Sequence, residues 1–135
     1  MSNARQMSYM FKNSQYKTII LPDNIFNVRS LTGLFIGCNK LINVNLSALN
    51  TSKTTNISYM FCECNSLKEI DISHFNVENV INMSNLFSEC YSLIKVKMFK
   101  TETPKLTDIS NMFDNCIRLK MIDLSSITTP SLKNI

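Results

Sequence analysis

Phenylalanine recurs in this chain at a fixed interval: Phe35, Phe61, Phe87 and Phe113 stand 26 residues apart, and Phe11 lies 24 residues before Phe35. A unit of this length cannot bury its apolar side chains alone, so a chain built this way must stack unit on unit into a solenoid. The register reaches beyond phenylalanine. Met10, Leu34, Met60, Leu86 and Met112 precede the rings by one residue, and Ser14, Cys38, Cys64, Cys90 and Cys116 follow them by three. Six, nine and eleven residues after the last four rings come Leu41, Val44, Leu46; Leu67, Ile70, Ile72; Leu93, Val96, Met98; and Leu119, Ile122, Leu124. Tyr16, Ile19 and Leu21 fill these columns in the shortened first copy. With 44% apolar residues the 135-residue chain can build one continuous core. Only 2 Gly and 3 Pro are present, so the turns fall to Asn, Ser, Asp and Thr, whose side chains bond to nearby backbone.

Two periods alternate inside each unit. Met83, Leu86, Phe87 and Cys90 fall at i, i+3, i+4 and i+7, which predicts one apolar stripe on a helix of about two turns. Ile57, Met60, Phe61, Cys64 and Ile109, Met112, Phe113, Cys116 are its equivalents, and Ser30, Asn56, Asn82 and Asp108 stand where N-caps are expected. The following segments alternate, as in Ile70-Asp71-Ile72, and predict short strands with one face inward. Pro104 and Pro130 share a column in the return between strand and next helix, which is then extended or turned. Short returns in a constant sense stack the strands in parallel. Helices need about 8 to 10 Å between axes and strands only about 4.8 Å, so the helical side splays. The expected fold is an α/β, right-handed leucine-rich-repeat-type solenoid of five repeats, with a five-stranded parallel sheet on the concave face and short helices on the convex face.

The unit from Asn82 to Met98, Asn-Met-Ser-Asn-Leu-Phe-Ser-Glu-Cys-Tyr-Ser-Leu-Ile-Lys-Val-Lys-Met, resembles the BspA-like leucine-rich repeats of bacterial and protozoan surface proteins, in their mycoplasma-type 25- to 26-residue form. The resemblance runs from about Met7 to Ile135, and departs from the pattern at Ser14 and at Met98-Phe99. It implies a surface or secreted setting and, for some members, adhesion. Residues 1–135 read as a single array, with Ser2-Asn3-Ala4 resembling a cloning scar. Ile135 would open a helix that is not completed, so the chain is expected to be a fragment of a longer array whose uncapped ends associate.

Little in the chain suggests catalysis. The single histidine, His74, has no nucleophile or ligand set at a recognisable spacing, and no triad, paired-carboxylate or phosphate-cradling motif occurs. The chain is therefore expected to be no enzyme, with no catalytic residue, metal or cofactor. The regular cysteines fall on the inward stripe as free, buried thiols, separated by the helix spacing, whereas Cys62 lies off that stripe and is expected to be exposed. Asn45, Asn50, Asn56 and Asn82 begin Asn-x-Ser triplets, read as caps and turns before glycosylation sites. A formal charge of +4 falls short of a nucleic-acid footprint, and no apolar run is long enough to insert in a membrane. The outward strand positions carry the functional expectation: Asn43 and Asn45, Glu69 and Asp71, Lys95 and Lys97, Met121 and Asp123. Glu69 should face Lys95, and Lys97 should lie between Asp71 and Asp123, giving a mixed-charge face for a protein or glycan ligand. The alternative is a spacer or stalk with no ligand of its own.

Overall fold

The computed structural model describes residues 6–128, so Pro130, Ile135 and the Ser2-Asn3-Ala4 segment lie outside the described residues. Four short strands follow one another along the chain: β1 (Thr18–Ile20), β2 (Asn43–Asn45), β3 (Glu69–Asp71) and β4 (Lys95–Lys97). They form two parallel pairs, β1 with β2 and β3 with β4, in place of the expected five-stranded sheet. Lys95 extends the second pair by a single parallel bridge to Met121. The registers match the sequence columns, with Ile19 opposite Val44 and Ile70 opposite Val96. In each strand the central residue is buried and its neighbours are exposed, as a three-residue pleat with one covered face requires.

No helix is present among the described residues, which corrects the expected α/β architecture. The segment around each Phe is a run of β-turns. In the coil of Phe61, the amides of Met60, Cys62 and Cys64 close turns onto the carbonyls of Ile57, Tyr59 and Phe61. The intervening amides of Tyr59, Phe61 and Glu63 instead reach the next coil, bonding the carbonyls of Ser84, Leu86 and Ser88 at 3.0, 3.0 and 2.8 Å. Alternate amides thus close the turn and join the coils, so both sets of backbone donors are satisfied without a helix.

The backbone reason lies two residues either side of each ring. Tyr59 and Glu63 have φ of 58° and 62°, and Asn85 and Glu89 of 55° and 63°. Each is the third residue of a turn, where type II geometry demands positive φ. A right-handed helix cannot pass through such residues. Gly33 and Gly37 occupy the same two columns, and both are covered by the preceding coil: a Cβ on Gly33 would lie 2.4 Å from the Tyr9 ring, and one on Gly37 2.0 Å from Asn13 Oδ1. Close approach, not φ alone, calls for glycine here, since Tyr and Asn hold the same φ in other coils.

The cap column is also reassigned. Gln6, Ser30, Asn56, Asn82 and Asp108 are joined one to the next by parallel bridges. The Oδ1 atoms of Asn56, Asn82 and Asp108 accept the amides of Ser58, Ser84 and Ser110 at 2.9, 2.8 and 2.9 Å, closing Asx turns at the entrance to each turn run. Pro104 is the second residue of the turn closed by Leu106 N on Thr103 O, where its fixed φ is favoured.

The core is a set of columns running through the stack. Phe11, Phe35, Phe61, Phe87 and Phe113 form a ladder of parallel rings with centroids 5.6, 5.4, 5.6 and 5.5 Å apart. This spacing is close to the strand separation of about 4.8 Å, so the splay that packed helices would impose has no source. Phe35, Phe61 and Phe87 are fully buried, while Met10 and Tyr16, assigned to core columns, are exposed in a coil with one neighbour among the described residues. On the return side, Thr51 and Thr103 stand in the column of Val77, and all three are buried. Thr51 Oγ1 donates to Asn76 O at 3.1 Å and accepts Asn76 N at 2.8 Å, which satisfies a hydroxyl in an otherwise apolar wall.

Candidate binding face

The outward residues of successive strands form one exposed face. Asn43, Asn45, Glu69, Asp71, Lys95, Lys97, Met121 and Asp123 are all exposed there, as the alternation implied. β1 adds Thr18 and Ile20, the latter 86% exposed. Sequence reasoning missed this pair because the first coil is one residue shorter between Phe11 and its strand; the hydrophobic centre, Ile19, was the signal. A shallow depression of about 200 Å³ lies on this face, bordered by Asn43, Glu69, Asp71, Lys95 and Lys97.

Glu69 pairs in register with Lys95, and Asp71 with Lys97. Among the described residues only the second couple closes to an ion pair, Lys97 Nζ to Asp71 Oδ2 at 3.7 Å, with both side chains more than half exposed. Such a pair adds little stability in water. Asp71 also holds a turn, since its Oδ1 accepts the amide and hydroxyl of Ser73 at 2.9 and 2.6 Å. Those bonds, chiefly the hydroxyl, hold its carboxyl below the usual range, with Lys97 adding to the effect. Asn45 and Asp123 accept from Ser47 and Ser125 in the same way, and Asp123 is lowered for the same cause.

The strand face therefore contains two kinds of residue. Asn45 and Asp71 end their strands by turning the chain, and Asp123 closes the equivalent turn in the last coil, whereas Asn43, Glu69, Lys95 and Met121 hold no turn. Lys97 and Phe99 replace the acceptor and the serine of that turn in the fourth coil. Phe99 is buried there, while Thr101 occupies the column of Leu49 and Phe75. The Met98-Phe99 departure is thus a local exchange in which an aromatic enters the core two residues early and a cation is left on the face.

The cysteine column runs through the interior, with Cys38, Cys64 and Cys90 buried and Cys116, expected to be buried, partly exposed. Cys38, Cys64, Cys90 and Cys116 are free, and each Sγ–H donates to the carbonyl of the Phe one coil back, at 3.0, 3.3, 3.0 and 3.0 Å. Helix separation is not what keeps them apart, since the coils are strand-like in spacing; each thiol is engaged by a carbonyl instead. Cys62 is buried, 6% exposed, which corrects the expectation of exposure. It follows Phe61 directly in a turn run, and the tight stacking covers it. Burial, with Glu63 and Glu89 nearby, pushes its thiol up to about 11. Among the described residues no three His, Cys, Asp or Glu side chains are grouped to hold a metal ion. No helix there is long and apolar enough to cross a membrane.

The family described as "Mycoplasma protein of unknown function, DUF285" matches residues 5–127, in agreement with the mycoplasma-type BspA-like repeat read from Asn82 to Met98. No curated protein matches the chain. Among solved structures, a leucine-rich repeat protein from Bacteroides ovatus is similar over 95% of this chain and 44% of its own, at 19% identity and a TM-score of 0.42. A leucine rich cell surface protein from Faecalibacterium prausnitzii is similar over 84% of this chain and 41% of its own, at 20% identity and a TM-score of 0.40. The chain spans less than half the length of either.

Proposed function

Because the chain belongs to the Mycoplasma family of unknown function DUF285, we propose that it is a non-catalytic interaction module of a surface or secreted repeat protein, binding a protein or glycan through its strand face. The observation that carries this reading is the fixed presentation of Glu69, Lys95 and Lys97 around a shallow depression, on strands held in register by the coils beneath them. A ligand meets side chains whose backbone needs no reordering, which lowers the entropic cost of association. Charges of both signs on one face favour a partner of complementary polar pattern over a uniformly anionic one. The surface or secreted setting, and adhesion as one form of the activity, rest on the resemblance to BspA-like repeats.

The turn bonds of Asn45, Asp71 and Asp123 favour a second reading, in which the polar strand ends serve the fold alone and the array is a spacer. An immobilised panel of matrix proteins and glycans separates the two. The combined variant Glu69→Ala, Lys95→Ala, Lys97→Ala leaves every turn acceptor in place, and it should lose a bound ligand by about tenfold or more. Retention of nothing by the unaltered protein supports the spacer, and binding unchanged by the triple variant removes the strand face as the site.

A further inference from the structure

A second groove lies where the chain leaves the strands. It encloses about 440 Å³ and is lined by Asn24, Asn50, Ser52, Asn76, Phe26 and His74 among others, with no Asp, Glu, Lys or Arg in its wall. The chain carries 14 basic and 10 acidic residues, so a charge-free recess of this size differs sharply in chemistry from the strand face beside it.

The polar groups are arranged as a ladder. Asn50 and Asn76 occupy one column a period apart, and the bridge of Ile25 to Leu49 sets Phe26 in register with Asn50 on the coil before. Asn50 Oδ1 accepts the amide and hydroxyl of Ser52 at 3.1 and 2.7 Å, and Asn76 Oδ1 accepts Glu78 N at 3.1 Å. With the oxygens of Asn50 and Asn76 turned to nearby backbone, the opposite edge of each amide presents Nδ2 as a donor. His74 is fixed against the preceding coil, donating from Nε2 to Leu46 O at 3.0 Å, and its ring meets Phe75 edge to face. That bond assigns the proton to Nε2 and leaves Nδ1 as an acceptor. Phe26, 40% exposed, contributes an aromatic surface to the same recess.

Amide donors, hydroxyls and one imidazole acceptor beside an exposed ring, with no net charge, match a pyranose: its hydroxyls exchange hydrogen bonds with neutral groups while its C–H face packs on the aromatic. We propose that this groove binds a neutral, linear oligosaccharide, with Phe26 as the stacking platform and Asn50 and Asn76, on adjacent coils, reading hydroxyls on successive sugars. A rung spacing of about 4.8 Å is close to the rise of one sugar in a β-linked chain. The proposal does not depend on the strand face binding anything.

Saturation-transfer and chemical-shift measurements with β-linked tetramers of glucose and of N-acetylglucosamine test it. At least one tetramer should bind with a dissociation constant of about millimolar or tighter, shifting the His74 and Phe26 ring signals. Phe26→Ala should weaken that binding by about tenfold, and Phe26→Tyr should restore it, with thermal unfolding showing that both variants fold. Lys95→Ala with Lys97→Ala should leave it unchanged. No transfer from either tetramer overturns the proposal, as do binding that survives Phe26→Ala in full and binding lost in the lysine variant.

Discussion

Phe61 stacks on Phe35 and Phe87 at 5.4 and 5.6 Å and is fully buried, so its truncation removes two ring contacts and opens the middle of the column. Phe61→Ala should lower the unfolding free energy in urea by about 3 to 5 kcal/mol. This much is legible from the interval alone, because an aromatic that returns in register has no room except against its own copies. The cysteines are legible as buried thiols, but not their bonding: nothing in the order of residues says that a thiol meets the carbonyl of the ring one coil back. Burial raises the Cys62 and Cys116 thiols to about 11, above the 9.0 of an unfolded thiol. The folded state then holds protons that the unfolded chain releases, so this contribution is fully present below pH 9 and is lost as the pH rises through 11. Urea midpoints measured from pH 8 upward should therefore decline across that window, and less steeply in Cys62→Ala. At pH 7 the regular column should resist a thiol reagent until the chain unfolds.

Between residue and coil stands the turn run, where the reading from sequence failed. A stripe at i, i+3, i+4 and i+7 marks a helix only if the residues between can be helical, and successive β-turns return the chain to the same side at similar spacing. The contrary signal was present: Gly33, Gly37, Asn85, Asn111 and Asn115 stand inside the supposed helices, at positions that prove left-handed. Glycine and asparagine in the middle of a short helix are turn residues in the wrong place. The four Asn-x-Ser triplets have a structural origin in the same chemistry. Asn45, Asn50, Asn56 and Asn82 each accept the amide of the serine two residues on. Asn82→Ala should cost about 0.5 to 2 kcal/mol, whereas Asn82→Asp should be nearly neutral, since Asp108 closes the same turn in the next coil. Equal losses for the two variants in urea titrations would show that the side-chain oxygen is not what holds the turn. The exposure of the face was legible wherever alternation was clear, but the shortened coil hid Thr18 and Ile20, and the strand expected at Met121–Asp123 reduces to one bridge.

For the molecule as a whole, cohesion comes from contacts between neighbouring coils, and nearly every one repeats. Stability is then a sum of like interfaces, and coils covered on both sides outlast those covered on one. Amide exchange should be slowest for Phe61 and Phe87, whose N–H groups bond Leu86 and Met112 carbonyls inside the stack, and fastest for Tyr9 and Phe11. Uniform protection from Tyr9 to Phe87 would mean that the stack opens only as one body. The amides that reach forward from one coil find the same carbonyls whichever coil comes next. Asn56 and Asn82 are structural equivalents, so removal of residues 57–82 joins two matching positions and lets Leu31 meet Met83 as it met Ile57. The shortened chain should still unfold cooperatively, with a lower midpoint. In heredity this makes the number of coils a freely variable trait: unequal exchange between repeats yields daughters that differ in reach and in which faces they display, and each is born already folded.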